Sequence, residues 1–263
     1  MLAFFLFVLG TAIGSFLTVA IDRIPRNISI ITGRSVCESC KHTLSWIDLV
    51  PVISYILLRG RCRYCKQQFG PHYLLLEILT GVLFVTTYLV TVAQNCPNGQ
   101  ICADLLPTLL YRLVIACCLF VIFFIDLRHS IIPFSVLIVA ALAAIIYTLV
   151  SNPFFLTVSL LTAVGSFLFF LVIHLVTKGR GMGFGDVLFA FVIGLILGFP
   201  TSVVAFYIAF LTGSVISLIL VLGKKKHIKS AIPFGPFLVV GTFTCLLWGP
   251  ELTHVFLAWL RLI

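Results

Sequence analysis

Charge is what this chain has least of. Asp, Glu, Lys and Arg make up 10% of its 263 residues, against about 25% in soluble globular domains. That shortage excludes an ordinary water-soluble enzyme, and a mean hydropathy of +1.23 agrees. Acids are scarcer still, with 8 in the whole chain. HExxH, GxSxG and a lone cysteine beside a histidine in a polar segment are all missing, which removes the common metallopeptidase, serine-hydrolase and cysteine-protease machinery. The glycine fingerprint of a dinucleotide-binding unit is missing too. So is a basic stretch ahead of the first apolar run. Arg23 and Arg26 follow "MLAFFLFVLGTAIGSFLTVAI" instead, the order expected of a retained helix and not of a cleaved signal.

What remains is hydrophobic, 61% of the chain, in repeated runs long enough to cross a bilayer as helices. The pattern predicts an all-α polytopic membrane protein of about eight transmembrane helices, near 2–21, 74–93, 107–125, 131–150, 155–176, 187–199, 202–222 and 234–249. The sixth is short and the eighth is interrupted by Gly and Pro. With the N-terminus outside, all but Arg112 and Arg261 of the 17 Lys and Arg fall in cytoplasmic loops. This bias sets topology, and it accounts for the net charge of +9 through membrane lipid with no need for nucleic acid. The expected organisation is a first helix (1–21), a cytoplasmic subdomain (22–72) and a membrane domain (73–263).

The subdomain carries "CESC" at Cys37 and Cys40 and "CRYC" at Cys62 and Cys65. Two such pairs can supply four thiolates to one tetrahedral zinc. Two disulfides are the alternative, disfavoured by a reducing cytoplasm. A redox role for one pair leaves the other unexplained. With four cysteines as ligands the zinc has no open position, so its expected role is structural. Cys96 and Cys102, placed outside, are compatible with a disulfide or with free thiols.

Three acids fall at the cytoplasmic ends of spans. Glu77 opens the second, Asp126 closes the third in "FFIDLRHSIIP", and Asp186 opens the sixth in "GMGFGD". Capping or snorkelling accounts for Glu77 as well as a functional role does. Asp126 directly follows "LFVIFFI", where an ionised group costs on the order of 2.5–3.5 kcal/mol unless it faces protein or water. Asp186 has the same cost, offset by a helix N-terminus. Two carboxyls in one partly dry site share a proton, the arrangement of aspartic proteases. Gly183 and Gly185 let an extended substrate backbone approach. His129 reads as a solvated helix-end residue. A proton- or cation-coupled transporter using Asp126 and Asp186 is the rival from another class; it calls for acids near the midplane and repeated halves, and no internal repeat is visible. A zinc-organised scaffold without catalysis leaves Asp126 unaccounted for.

The ordered series "GSFLTVAIDRIPR", the two CxxC pairs, "LLRGRCRYC", "EILTG", "DLRHSIIP", "GFGD" and "IPFGPFL" resembles the type IV prepilin peptidases, a branch of the GxGD membrane aspartic peptidases, over nearly the whole chain. The resemblance implies that Asp126 and Asp186 are the catalytic pair. It further implies a multi-pass enzyme of the bacterial inner membrane with its active site facing the cytoplasm. Its substrates would be type IV prepilins and pseudopilins, cleaved after a glycine to release short basic leaders. Relatives with the cysteines often also methylate the new N-terminus with S-adenosylmethionine. The chain departs from the family pattern at Thr18, Asp22, Phe134 and Leu188 and around "GPHYLLLE". The changes at Thr18 and near Glu77 fall in segments otherwise assigned to methylation.

Overall fold

The computed structural model describes residues 1–30, 33, 35–37, 39–95, 104–179, 181–223 and 233–259. Cys96 and Cys102 lie outside these, so their pairing does too. Two compact units divide the chain, Met1–Leu105 and Leu106–Ile263.

In the first unit, α1 (Leu2–Arg23) and α3 (His72–Asn95) pack against each other, with the short α2 (Ile53–Leu57) in the segment between them. Small residues let α1 and α3 approach. A Cβ on Gly10 would lie 2.9 Å from Gly81 Cα, and one on Gly14 would lie 3.0 Å from Glu77 Cα. In lipid no hydrophobic force joins helices, so close backbone packing of this kind supplies much of their attraction. Buried Thr18, Thr80 and Thr91 return their hydroxyl protons to carbonyls of their own helices, which satisfies these hydroxyls inside the packed pair.

The second unit contains α4 (Leu105–His129), α5 (Phe134–Ser151), α6 (Pro153–Val176), α7 (Phe184–Leu197), α8 (Thr201–Leu222) and α9 (Gly235–Trp259). The expected spans therefore all form helices. Among the described residues of both units, six helices are long and apolar enough to cross a membrane, and the protein is a multi-pass membrane protein. The shorter α7 has 14 residues, about 21 Å at 1.5 Å per residue, less than a bilayer core of roughly 30 Å. It is covered by protein instead, packed against α5, α6 and α9; a Cβ on Gly194 would lie 2.6 Å from Ala163 Cα of α6. The sequence interruption in the last span is a kink in α9, where Trp248 leaves helical geometry just before Pro250.

Candidate functional site

Asp126 sits in the last turn of α4, whose ladder ends when Ser130, in a left-handed conformation (φ 54°), donates its N–H to the Asp126 carbonyl at 2.8 Å. The chain then passes through Ile132 outside any helix and through an extended Pro133 before α5 begins. Asp186 occupies the first turn of α7, and its Oδ2 accepts the Gly183 N–H at 3.1 Å. The helix N-terminus favours negative charge there. The two side chains are close to fully buried, Asp126 at 4% exposure and Asp186 at 7%. The charge of Asp126 reaches the Asp186 carboxyl.

Two further segments close around them. A side chain at Gly235, the first residue of α9, would collide with Asp126 Oδ2. The Gly235 N–H is turned toward the same carboxyl, yet Oδ2 has no hydrogen-bond partner among the described residues. Ile132 bridges the glycines, since a Cβ on Gly185 would lie 3.2 Å from its Cβ and one on Gly235 would lie 3.3 Å from its Cδ1. The segments "DLRHSIIP", "GFGD" and "GPF" thus meet at one point. Upstream of Gly183, His174 of α6 holds the Met182 carbonyl through Nδ1 at 2.8 Å, which pins the glycine-rich loop. His129 is exposed.

In the first unit the four cysteine sulfurs, of Cys37, Cys40, Cys62 and Cys65, all lie within 4.8 Å of one another. None of them is in a disulfide. Tetrahedral ligation with Zn–S arms of about 2.3 Å requires sulfurs about 3.8 Å apart, and Cys37 and Cys65 are separated by 3.8 Å. The donor set fits a metal ion.

The two knuckles have the same backbone. In one, Cys37 N–H reaches His42 O and Lys41 N–H returns to Cys37 O; in the other, Cys62 N–H reaches Gln67 O and Lys66 N–H returns to Cys62 O. Lys41 and Lys66 both take positive φ, and each knuckle closes with one bridge, Val36 to Thr43 and Arg61 to Gln68. No internal repeat is visible in the sequence, but this short structural one is present.

The Cys40 N–H draws the Cys37 thiol down to about 7 despite its burial. The Gln67 N–H favours the Cys65 thiolate, but burial and the other sulfurs outweigh it and push that thiol up to about 11. Four thiols so crowded oppose each other's ionisation, a conflict that a bound dication relieves. Between the knuckles, burial works against the Asp48 carboxylate. The hydrogen bonds from Ser45 and Arg63 prevail and hold it below the usual range.

Residues 113–218 match the model of the type IV leader peptidase family, and residues 8–91 match the bacterial peptidase A24 N-terminal domain. The chain belongs to the type IV leader peptidase family. Among similar proteins is the prepilin leader peptidase/N-methyltransferase of Myxococcus xanthus, 39% identical over 150 residues, 54% of this chain and 39% of that protein. Its counterpart in Klebsiella pneumoniae is 37% identical over 109 residues, 39% of this chain and 48% of that protein. The one in Aeromonas salmonicida is 26% identical over 281 residues, 96% of this chain and 92% of that protein. No solved structure matches the chain.

Within the leader peptidase match lie Asp126, Asp186 and both glycines of GFGD. Gly235 lies beyond it, in "IPFGPFL"; the sequence points to that segment as one that could close the site, but does not set this glycine apart from its neighbours. Glu77 is in the first unit. Its Oε2 accepts the Val52 N–H at 2.8 Å, and Ser15 of α1 hydrogen-bonds to the same carboxyl.

Proposed function

We propose that the chain is an aspartic endopeptidase of the bacterial inner membrane that removes the basic leader from type IV prepilins and pseudopilins at the cytoplasmic face. The observation that carries this reading is a pair of buried carboxyls on separate helices, one of which keeps an oxygen with no partner among the described residues, turned toward a glycine. A satisfied structural acid has no use for that free acceptor; a base that must take a proton from water does.

The pair works with one proton between its members. The ionised carboxylate removes a proton from water as the water oxygen attacks the scissile carbonyl carbon. The protonated carboxyl gives its proton to the carbonyl oxygen, producing a neutral tetrahedral diol. When the diol collapses, one of its hydroxyls returns a proton to the carboxylate left by the first step as the C=O bond re-forms and the C–N bond breaks; the leaving nitrogen takes its proton from the acid formed in that step, and the dyad returns to one shared proton. Gly183 and Gly185 admit the substrate backbone beside the acids. A direct contact between Glu77 and the leader's cations is part of this reading, and Glu77→Gln with unchanged cleavage kinetics would remove it.

The support for orientation is the basic bias of the loops, with the N-terminus outside. Functionally we divide the chain into a first helix (1–21), a four-cysteine subdomain (22–72) and a peptidase portion (73–263). Zinc on Cys37, Cys40, Cys62 and Cys65 has its four positions filled by sulfur, so it organises the subdomain and takes no part in hydrolysis. Methylation with S-adenosylmethionine rests on the names of the relatives. Among the described residues there is no strand–glycine loop–helix cradle for such a cofactor, and we derive no methyl-transfer step.

The test incubates purified protein with a prepilin-like peptide and compares Asp126→Asn and Asp186→Asn with the parent. Loss of about 10²–10⁴ in cleavage rate is expected for each; cleavage that persists in either variant refutes the dyad. Mass analysis of the product with added S-adenosylmethionine reads methylation in the same sample.

A further inference from the structure

Exposed apolar side chains on a membrane helix are covered by lipid, but the first unit also exposes them outside every candidate span. On α2, Ile53, Ile56 and Leu57 stand at i, i+3 and i+4, which is one helix face, and all three are exposed, Leu57 at 75%. The short 3-10 turn before α2 adds Trp46, exposed at 77%, together with Ile47 and Leu49.

The depth of this surface follows from one hydrogen bond. The Val52 N–H, immediately before α2, is held by Glu77 at 2.8 Å. Glu77 lies five residues into α3, which starts at His72, or about 7–8 Å along the helix axis. The start of α2 is therefore level with the opening turns of a membrane helix. Val52 is also the centre of a tight turn, at φ 62° and ψ −51°, in which Ile53 N–H reaches Pro51 O at 2.6 Å. Such a turn is strained for a β-branched residue, and it redirects the chain just where α2 begins.

Charge adjoins the apolar face. An open cavity of about 320 Å³ is lined by Leu57, Leu58, Arg59, Arg61, Cys62 and Lys66. Three of these are cations and none is an acid. Leu57 belongs both to the cavity and to the exposed face of α2, so the two surfaces are continuous. A cavity of this sign repels a basic peptide and suits an anion.

We propose that α2, Trp46 and the Arg59–Arg61–Lys66 cavity form a docking surface for anionic phospholipid. The apolar face enters the boundary between headgroups and acyl chains, where tryptophan is the favoured anchor. The three cations take the headgroup phosphate, and their attraction grows with the anionic charge of the leaflet. The cysteine subdomain is thereby moored to the bilayer beside α1 and α3. An apolar face alone would suit a second copy or another protein equally; the contiguous cations and the interfacial depth select lipid.

The test uses the full-length protein with Trp248→Phe and Trp259→Phe, leaving Trp46 as the only tryptophan, in vesicles of phosphatidylcholine with or without phosphatidylglycerol. The lipids are brominated at the shallow end of the acyl chains. Quenching of Trp46 is expected to be about twofold or more stronger with phosphatidylglycerol, and to weaken in Arg59→Gln/Arg61→Gln/Lys66→Gln. Raising the salt on the unaltered cavity is a second measurement that needs no variant, and it should weaken quenching in the same direction. Trp46 unquenched in both lipids, or quenched equally with neutral lipid at all salt concentrations, overturns the proposal. So does quenching that tracks protein density instead of bromolipid, the result expected of self-association.

Discussion

Both units bury acids, and they treat them in opposite ways. In the first, Asp48 accepts from the Ser45 backbone at 3.1 Å and hydroxyl at 2.7 Å and pairs with Arg63 at 2.6 Å. Glu77 accepts from Val52 and hydrogen-bonds with Ser15. In the second, Asp126 keeps a buried Oδ2 with no partner among the described residues, and Asp186 takes one amide and has another carboxyl as a neighbour. An unsatisfied buried polar atom costs about 1–3 kcal/mol. The first unit thus uses acids as acceptors that hold chain segments in place. The second bears a cost in stability that makes sense if water and a peptide complete the site, since a strained or under-satisfied site is where function tends to lie.

The sharpest way to break this comparison is to neutralise Asp126. Asp126→Asn should lower peptide cleavage by about 10²–10⁴ without lowering the melting temperature of the detergent-solubilised protein, because no hydrogen bond to Oδ2 is lost. A large drop in melting temperature alongside the lost activity would put Asp126 with the structural acids of the first unit.

Removing a ligand from the cysteine cluster should produce the next largest effect. Cys62→Ser, at a buried position, is expected to weaken zinc binding by more than about 100-fold, beyond what a changed partner outside the metal's own ligands costs. Elemental analysis of the purified protein reads this directly. Full zinc occupancy in the variant would dismiss the four-sulfur site. Cleavage of a short peptide should survive far better than in Asp126→Asn if the metal only organises its own subdomain.

Much of this was legible in the sequence, because hydropathy and charge bias report the membrane directly. Every expected span forms a helix, and the four cysteines come together as their spacing implied. That Asp126 needed protein or water around it was readable from the apolar run before it, and it is buried. What the sequence could not carry was partnership. Gly235 follows Asp126 by more than a hundred residues, and only the packing of α9 brings its Cα against Oδ2. For Glu77 capping and a functional role read equally well, and the loop amide that one of its oxygens accepts, placed by the unusual turn at Val52, was not visible in the sequence. The length of α7 was readable as an anomaly, though its cause, burial among α5, α6 and α9, was not.

Gly235→Ala tests the other side of the unpartnered oxygen. The added methyl would strike Asp126 Oδ2, so the carboxyl must rotate or α9 must shift. A displacement of about 1 Å can cost up to roughly 100-fold in rate, and a loss of tenfold or more in kcat is expected with little change in KM. The loss should come without unfolding, since α9 begins at this residue and alanine is a better helix former than glycine. Unchanged kcat would mean that Oδ2 is not an atom the reaction uses.

The smallest effect, and the one that most sharpens the contrast, is at Glu77. Glu77→Ala removes the acceptor of the Val52 N–H and leaves that donor unsatisfied at the edge of the α1–α3 seam. A loss of about 1–3 kcal/mol in local stability is expected, read as faster hydrogen exchange at the Val52 amide and in α2. Glu77→Gln keeps a carbonyl oxygen in reach and should lose less. If Glu77 instead contacts the leader, the pattern reverses: Glu77→Gln raises KM for a basic substrate while Val52 exchange stays slow. The two readouts therefore separate an acid that holds a turn from one that holds a substrate.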